Sequence, residues 1–413
     1  MQLETLFATA IGITPPWKIT ALSFDSEKKR LDIKVTFERG ATFEVKNEKS
    51  GETEQCKAYD TVKKTWRHLN FFEHECYLHA RVPRVQPKDG GTKTVTPPWS
   101  GVSSGFTLLF EALILQMCKN MPVHQVGKLL NISDNKTWGM LEEYVNKALN
   151  LQSLEKVESI GVDETSLKKG HNYISLFVDL AEKRSLFVTE GKDHSTVTGF
   201  AKFLTGCGGK AENIQDVSCD MSPAFIKGVK QELPNAQITF DKFHILKIIN
   251  EAVDKVRREE AKTTPQLKGA RYAFIKNEQN LTQKQKDKKE SLSKLNLKSM
   301  RALHLRENFQ AIYAADTLAQ FEKLLKQWYF WATHCRLEPM KKAAKMIKNH
   351  WDGVLRWKES QINNGILEGL NSVIQAAKRK ARGYKFEHFK VMALLLTGKL
   401  NFQALNPALP THF

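Results

Sequence analysis

The sequence predicts an α/β protein of several domains, and three observations support this fold class. Its 413 residues are too many for one ordinary hydrophobic core, and an apolar content of 41% is enough to form several. Strand-like alternation, helical periodicity and mixed α/β patterns follow one another along the chain. A formal net charge of +18 favours a polyanionic partner, and nucleic acid fits better than a membrane surface because no basic amphipathic helix stands out at either end.

Residues 1–100 are predicted to form a small β-rich module that binds DNA. Residues 31–37 and 76–85 alternate apolar and polar side chains, as half-buried strands do, and residues 41–45 resume the pattern after a turn. Pro97-Pro98 ends the module as a stiff linker. The basic residues expected to contact DNA are Lys63, Lys64, Arg67, Arg81 and Arg84.

Residues 101–152 change to helical periodicity and predict a helix-turn-helix. Pro122 opens a short helix, the turn covers residues 131–133, and Ser133 or Asp134 caps a second helix that contains Trp138. Such a hairpin of helices also occurs as plain core packing, but the basic charge of the chain favours DNA binding. The expected contacts lie at the start of the second helix: Asn135, Lys136 and Thr137.

Residues 153–250 are predicted to form the first part of an α/β core. Five short apolar strands are separated by two helical segments, and Asp163 and Asp220 are predicted to end the first and the fourth strand. Neighbouring strands that end together bring such carboxylates close, and clustered carboxylates favour a hard cation such as Mg²⁺ or Mn²⁺. A carboxylate at a strand end also occurs as a helix cap or a turn residue, so each aspartate alone carries little weight.

Residues 251–360 are helical and rich in lysine, and residues 361–413 contain a last amphipathic helix and a tail. We interpret the charged stretch from Lys284 to Lys298 as a solvated helix pair, and Trp328, Trp331, Trp351 and Trp357 as core residues. In the last helix, leucine, valine and isoleucine side chains lie largely on the opposite side from a polar stripe. That stripe begins with a carboxylate and ends with cations that suit DNA phosphates: Glu368, Asn371, Ser372, Gln375, Arg379 and Arg382, with Lys378 nearby.

Several motifs together resemble the ISL3 family of bacterial insertion-sequence transposases, in order and over nearly the whole chain. They are Thr65-Trp66-Arg67-His68-Leu69-x-Phe71-Phe72, Gly161-Val162-Asp163-Glu164, Cys219-Asp220-Met221-Ser222-Pro223-Ala224-Phe225, Phe240-Asp241-Lys242-Phe243-His244, and Asn364-Gly365-x-x-Glu368-Gly369-x-Asn371 running into Lys378-Arg379-x-Ala381-Arg382-Gly383-Tyr384.

The resemblance implies an RNase H-like catalytic core of the DDE type, interrupted by an all-helical insertion and preceded by a zinc-ribbon-like module and a helix-turn-helix. Asp163, Asp220 and Glu368 would be the catalytic residues and the ligands of two Mg²⁺ or Mn²⁺ ions. The implied activity is metal-dependent strand cleavage and strand transfer at terminal inverted repeats, by a homodimer on double-stranded DNA in a bacterial cytoplasm, associated with the nucleoid. A catalytically inactive, domesticated DNA-binding regulator of the same fold is the alternative.

Two further carboxylates lie near the expected site. Glu164 follows Asp163, so on a strand it points to the opposite face, and we expect a turn or capping role. Asp241 and His244 form an Asp-x-x-His pattern that lies beside the active site in the family. We expect them to support the ligands or to position DNA, with a structural histidine as the alternative.

The N-terminal module departs from the zinc pattern of the family it resembles. Its ligand positions are occupied by residues that do not suit zinc, namely Asn47, Lys49, Gly51, Glu52, Gln86 and Asp89. Cys56 persists, and Cys76 and His79 lie elsewhere in the module. We therefore predict that the module folds without zinc.

The remaining sequence features concern the compartment. The six cysteines form no Cys-x-x-Cys pair, which favours free thiols in a reducing compartment. The stretch Met1-Gln2-Leu3-Glu4 lacks the basic and apolar pattern of a signal peptide, and no run of about 18 apolar residues occurs. We expect neither export nor a membrane span.

Overall fold

A computed structural model describes residues 3–46, 52–88, 90–102, 105–167, 173–362 and 365–410. The chain forms two compact units: Met1–Gln152 together with Ala376–Phe413, and Ser153–Gln375. The sequence predicted five domains, with everything after residue 360 in the catalytic core. The structure instead groups the segment from Ala376 onward with the N-terminal unit. Asn47, Lys49, Gly51, Asp89 and Asn364, which the sequence analysis used, lie outside the described residues.

The N-terminal part of the first unit contains α1 Leu3–Ile11, β1 Trp17–Asp25, β2 Arg30–Phe37, β3 Thr42–Lys46, β4 Thr53–Phe71, β5 His74–Val85 and β6 Lys93–Thr94. Its described strands form one sheet in the order β1-β2-β5-β4-β3, with β6 beside β5. The predicted alternation is confirmed in β2, where Leu31, Ile33 and Val35 are buried and the residues between them are not. This alternation gives the sheet one apolar face, which Trp17 and Trp66 help to cover.

The helix-turn-helix follows as α2 Leu108–Asn120, α3 Val123–Leu130 and α4 Asp134–Asn150. Ser133 caps α4 as predicted, since its hydroxyl accepts a hydrogen bond from the backbone N–H of Lys136. Asn131 adopts a left-handed conformation that ends α3 and permits the tight turn. Gly127 in α3 lies so close to α4 that an added Cβ would be 2.7 Å from a carboxylate oxygen of Asp134.

The C-terminal segment completes this unit through α15 Phe386–Thr397 and the tail after it. The ring of His388 stacks on that of Trp138 in α4, with centroids 3.8 Å apart. Asn406 is fully buried, and its amide donates to the carbonyl of Leu108 at 2.8 Å and to the hydroxyl of Tyr144 at 2.9 Å. These contacts explain why the tail belongs with the helix-turn-helix rather than with the residues that precede it.

The second unit begins with β7 Ser159–Ser166, β8 Tyr173–Asp179, β9 Arg184–Glu190, α5 Ser195–Gly206, β10 Asp216–Cys219, α6 Pro223–Glu232 and β11 Gln237–Phe240. Among the described residues these strands form one sheet in the order β11-β10-β7-β8-β9. β7, β8 and β9 are antiparallel, whereas β10 and β11 run parallel to β7. The order of strands and helices agrees with the sequence prediction.

A helical region follows, with α7 Lys242–Glu260, α8 Arg271–Ile275, α9 Gln283–Ser293, α10 Lys298–Ile312, α11 Leu318–His334, α12 Glu338–Asn349 and α13 Trp351–Ser360. The unit ends within α14, Gly365–Lys380, after Gln375. Trp328 is buried as predicted, and its indole N–H donates to the carbonyl of Leu305. Trp331 was also predicted to be in the core, but it is 46% exposed because it lies on the outer face of α11.

Within the described part of the chain, no helix is both long enough and apolar enough to cross a membrane.

Candidate active site

The strand register of the second unit aligns three aspartates: Asp163 within β7, and Asp220 and Asp241 directly after the ends of β10 and β11. β7 and β10 pair at a constant offset of 57 residues (216 − 159), and continuing this register places Asp220 opposite Asp163. β10 and β11 pair at an offset of 21 residues (237 − 216), which places Asp241 opposite Asp220. Residues in one row of a sheet project to the same face. The strand register therefore assembles three carboxylates that are far apart in sequence.

Asp163 lies within its strand rather than at the predicted end, because the pairing of β7 with β8 extends the strand to Ser166. Its two carboxylate oxygens have different donors: the backbone N–H of Glu164 at 2.8 Å and the side-chain amide of Asn371 at 2.6 Å. Burial raises the pKa of Asp163, and the negative charge of Asp220 raises it further. The site thus concentrates negative charge that a cation would relieve.

Helix α14 runs alongside β7, and side chains four residues apart on the helix contact residues two apart on the strand. Leu367 packs on Gly161, where an added Cβ would lie 2.6 Å from a Leu367 methyl carbon. One turn later Asn371 contacts Asp163, and after another turn the amide of Gln375 donates to the hydroxyl of Thr165 at 2.6 Å. Four helical residues rise about 6 Å and two strand residues about 6.6 Å, so the two elements stay in step. Gly161 is needed because the helix approaches the strand so closely.

Asn371 and Gln375 were predicted to contact DNA, but their amides contact β7 instead. The helical periodicity predicted that both lie on a polar stripe with Glu368, but in the structure both lie beside Leu367 on the face that contacts β7. It gave no information on which element that stripe meets. The carbonyl oxygen of the Asn371 amide is buried without a hydrogen-bond partner among the described residues.

Glu368 lies one turn before Asn371 on α14, and its side chain is exposed. It is not among the charges that shift the pKa of Asp163. Positions three apart on a helix are neighbours on its surface, so the Glu368 side chain begins beside Asn371 and close to the aspartate row. In the structure, however, its carboxylate is turned to solvent.

Two charged residues near the row were missed as site residues. Glu164 was expected in a turn or a cap, but it lies in β7, and its half-buried carboxylate has a raised pKa, through burial first and then through the charge of Asp220. Lys192 opposes this rise in the pKa of Glu164, and its ammonium lies 3.8 Å from the centroid of the Tyr173 ring. Sequence spacing gave no signal for Lys192, because a loop after β9 carries it.

Asp241 and His244 form a pair at the start of α7. Asp241 is 4% exposed, and its carboxylate accepts the backbone N–H of Phe243, which caps the helix. Nδ1 of His244 lies 3.1 Å from the second oxygen of Asp241, a charge-pairing distance, although the ring is not aligned for a hydrogen bond. The short-range contact with Asp241 is the main cause of a raised pKa of His244, and the charges of Asp241, Asp163 and Asp220 raise it further. A cationic imidazole beside the row fits this charge pattern.

The oxygen atoms around Asp163 and Asp220 form part of a site that suits a divalent cation. Carboxylate and amide oxygens are the ligands that Mg²⁺ prefers, and the unpaired amide oxygen of Asn371 is a further oxygen at the same place. Among the described residues, no three histidine, cysteine, aspartate or glutamate side chains converge closely enough to hold a metal ion. Glu368 is exposed, and the carboxylates of Asp163, Asp220 and Asp241 do not by themselves form such a group.

Two of the residues predicted to contact DNA have buried side chains. Arg67 is 6% exposed, and its guanidinium donates to the carbonyls of His68 and Cys76 and to the side chain of Asn70. Thr137 is fully buried, and its hydroxyl donates to the carbonyl of Ser133 in the preceding turn. Both residues stabilise the first unit.

The other predicted DNA contacts are accessible to differing degrees. Lys63 and Arg81 are exposed and face each other across β4 and β5, and Lys64 is exposed next to them. Like charges directly opposite each other are destabilising, so this pair favours an anionic partner. Arg84 is half-buried and paired with Asp60. Also in the first unit, Asn135, Lys136, Arg379 and Arg382 are exposed and Lys378 is half-buried.

The residues considered as zinc ligands have structural surroundings. Cys56 and Cys76 are buried in the sheet, and burial raises the pKa of Cys76 to about 12. His79 lies between Asp32 and Thr65, at 2.5 Å and 3.0 Å from its two ring nitrogens. Glu52 and Gln86 are exposed.

Comparisons with known proteins identify the family of the chain. A family model described as a transposase, that of the ISL3 DDE transposases, matches residues 160–393, more than half of the chain. A second model, described as the helix-turn-helix domain of transposase family ISL3, matches residues 95–145. The transposase for insertion sequence element IS1557 from Mycobacterium tuberculosis is 26% identical over 84% of this chain and 83% of its own length. The transposase for IS1001 from Bordetella parapertussis is 25% identical over 81% of this chain and 86% of its own length.

Proposed function

The chain belongs to the ISL3 family of transposases, and from this we propose that it is an active DDE-type enzyme that cuts and joins DNA at the terminal inverted repeats of an insertion sequence. The single observation that carries the proposal is the row in which the strand register aligns Asp163 with Asp220. We propose that the sheet of the second unit and α14 are an RNase H-like core. The helices α8 to α13 are then its insertion.

We assign Asp163, Asp220 and Glu368 as catalytic residues and as ligands of two divalent cations, Mg²⁺ or Mn²⁺. Such cations supply Lewis acidity for an in-line displacement at phosphorus. Glu368 reaches the site by a change of side-chain rotamer, because its backbone position on α14 already borders Asn371.

The neighbouring residues hold the site together. Asn371 and the backbone N–H of Glu164 fix the two oxygens of Asp163. Asp241 holds His244 beside the aspartates, where a charged imidazole offsets part of their repulsion. Lys192 places a further positive charge near Glu164, in a position suited to a phosphate of the bound strand.

DNA recognition is assigned to the first unit. Asn135 and Lys136, at the start of α4, are exposed and stand where a recognition helix presents its first residues to bases. Lys63, Lys64 and Arg81 add phosphate contacts on the sheet. Since two DNA ends must be brought together, we expect a homodimer on DNA.

The test is a cleavage and joining assay on DNA that carries the element's own ends, with Mg²⁺ or Mn²⁺. Asp163→Asn, Asp220→Asn and Glu368→Gln each remove a charge with little change in shape. Loss of several kcal/mol of transition-state stabilisation corresponds to about a thousandfold lower rate for each. Matched controls are Asp216→Asn on β10 and Glu387→Gln on α15, which lie outside the row.

Each outcome of the assay decides between hypotheses. Cleavage that survives all three substitutions refutes the site assignment. Specific end binding by a wild-type protein that neither cuts nor joins DNA would favour the domesticated regulator, which the intact aspartate row argues against.

A further inference from the structure

A groove of about 1230 Å³ lies along one face of α7 in the second unit. Its walls come from α7, from α8 and the residues after it, and from α12. One end of α7 is the aspartate row itself, because Asp241 both belongs to that row and caps the helix. Phe243 lines the groove two residues after Asp241, so the groove begins close to the candidate active site, although the aspartates themselves do not line it.

The exposed stripe of α7 follows the groove at four-residue spacing. Phe243, Lys247, Glu251 and Lys255 are exposed and line it, and the stripe extends about 18 Å from Phe243 to Lys255. Phe243 is 51% exposed at the end nearest the aspartates. A large aromatic ring left open to solvent at this point suits stacking with a planar ligand.

The rim of the groove is strongly positive. Six basic residues that are exposed or half-buried line it: Lys247, Lys255, Arg258, Arg271, Lys276 and Lys342. Two acidic residues line it as well, Glu251 and Asp254. Asp254 is surrounded by the guanidinium groups of Arg257, Arg258 and Arg271 at 2.7, 3.3 and 3.8 Å. Its charge is thus offset locally, and a polyanion is the matching ligand.

The floor of the groove combines apolar side chains with the buried guanidinium groups of Arg257 and Arg306. Leu246, Ile275, Ala343 and Met346 line it, and Met346 is 45% exposed. Beside the groove, Tyr272 is 50% exposed, with Lys276 at 5.1 Å and Arg271 at 6.0 Å from its ring centroid. A basic rim with an apolar and aromatic floor is the arrangement that binds unpaired bases together with their phosphates.

We propose that this groove binds a single DNA strand as it leaves the aspartate row. The phosphates contact the basic rim, and the bases lie on the apolar floor, with Phe243 stacking on the base nearest the site. A duplex would fit the rim but not the floor, because its bases are stacked inside and unavailable. The direction of the strand rests on the proposed function, whereas the binding itself does not.

The experiment measures the affinity of the full chain for a fluorescent oligothymidine, without divalent cations. Lys247→Glu and Lys342→Glu should each weaken binding by about tenfold and lower the slope of log K against log salt concentration by about 0.7 for each lost contact. Lys284→Glu on α9 and Lys345→Glu on α12 make the same charge change outside the groove, and both should leave the affinity unchanged.

A second variant tests the floor separately from the rim. Met346→Ser keeps every charge, so it should weaken oligothymidine binding several-fold and leave the affinity for a duplex of the same length unchanged. Photocrosslinks from bromodeoxyuridine should map to residues 243–258 or 339–346.

Three results would overturn the proposal. One is equal weakening of oligothymidine binding by the lysine variants of the groove and by their controls. Another is equal loss of duplex and oligothymidine binding in Met346→Ser, and the third is crosslinking confined to the helix-turn-helix. Asp163→Asn should abolish cleavage but retain oligothymidine binding. Failure of the groove proposal is therefore distinguishable from failure of the active-site assignment.

Discussion

Asp163 is held by two donors, and each of them orients one carboxylate oxygen. The backbone N–H of Glu164 cannot be removed by substitution, but the amide of Asn371 can. Partners that orient a metal ligand typically contribute about 10- to 100-fold to metal affinity or activity. At the scale of the residue, we therefore propose that Asn371 positions Asp163.

Asn371→Leu should lower the cleavage rate by about 10- to 100-fold and raise the Mg²⁺ concentration needed for half-maximal rate. Affinity for DNA ends, measured without cations, should stay unchanged. Gln375→Leu is the matched control, since it removes a similar amide bond to Thr165 one turn away. Normal cleavage with weakened end binding in Asn371→Leu would instead restore the DNA-contact interpretation.

His68 shows how burial selects a protonation state. The hydroxyl of Thr107 accepts the backbone N–H of Phe110 and lies 2.8 Å from Nδ1 of His68, within hydrogen-bond distance. Burial, with the nearby charge of Arg67, lowers the pKa of His68 from 6.5 to about 4.

The first unit should therefore lose stability in acid. The unfolded chain takes up a proton at His68 as the pH falls through 6.5, whereas the folded chain does so only near 4. The contribution is complete above pH 6.5 and falls by up to about 3 kcal/mol on approaching pH 4. His68→Gln should flatten the thermal midpoint against pH in this window. An unchanged acid slope in that variant would contradict the buried neutral histidine.

At the scale of residues, sequence reasoning identified the two aspartates and the pair of Asp241 and His244. It did so because strand periodicity and motif spacing are local properties. It could not find Lys192, nor the contacts of Asn371, because both depend on which segments lie side by side.

At the scale of elements, the approach of α3 to α4 depends on a residue without a side chain. An added Cβ at Gly127 would meet a carboxylate oxygen of Asp134 at 2.7 Å and the carbonyl of Ile132 at 2.9 Å. At Gly139 in α4, by contrast, an added Cβ would have no neighbouring heavy atom within 4 Å. The two glycines form a natural pair for comparison.

Gly127→Ala should destabilise the first unit by about 1–3 kcal/mol, because the two helices must separate, and should weaken binding to DNA ends. Gly139→Ala should stabilise it by about 0.5–1 kcal/mol, because alanine favours the helix and meets no neighbour. Thermal midpoints and end binding of both variants check this. Equal effects of the two substitutions would exclude close packing as the cause.

The accuracy of the element predictions follows the strength of each pattern. The strands around residues 31–37 and 76–85 and the helices on both sides of Asn131 are confirmed, since one face of each is clearly apolar. β4 was missed, because many of its polar side chains remain partly exposed and the stretch reads as a loop. Thr65 and His79, for example, pair across β4 and β5 on a polar face.

At the scale of the whole molecule, the second unit is inserted in sequence between two parts of the first. No local pattern predicts this, because the contacts that establish it are very distant along the chain. Asn406 and Leu108, which share a hydrogen bond, are 298 residues apart. Family motifs in α14 favoured assigning everything after residue 360 to the core, whereas packing divides that helix after Gln375.

The position of Asn406 near the end of the chain also determines when a newly synthesised protein can complete the packing of its first unit. A chain emerges from the ribosome with its N-terminus first, so β1 to α4 are exposed long before the tail. Tyr144 and the carbonyl of Leu108 then lack the amide that joins them, and Trp138 lacks the ring of His388. The helix-turn-helix region therefore completes its packing only after the second unit has been synthesised. We expect an incomplete chain, which lacks these contacts, to bind a DNA end more weakly than the full chain.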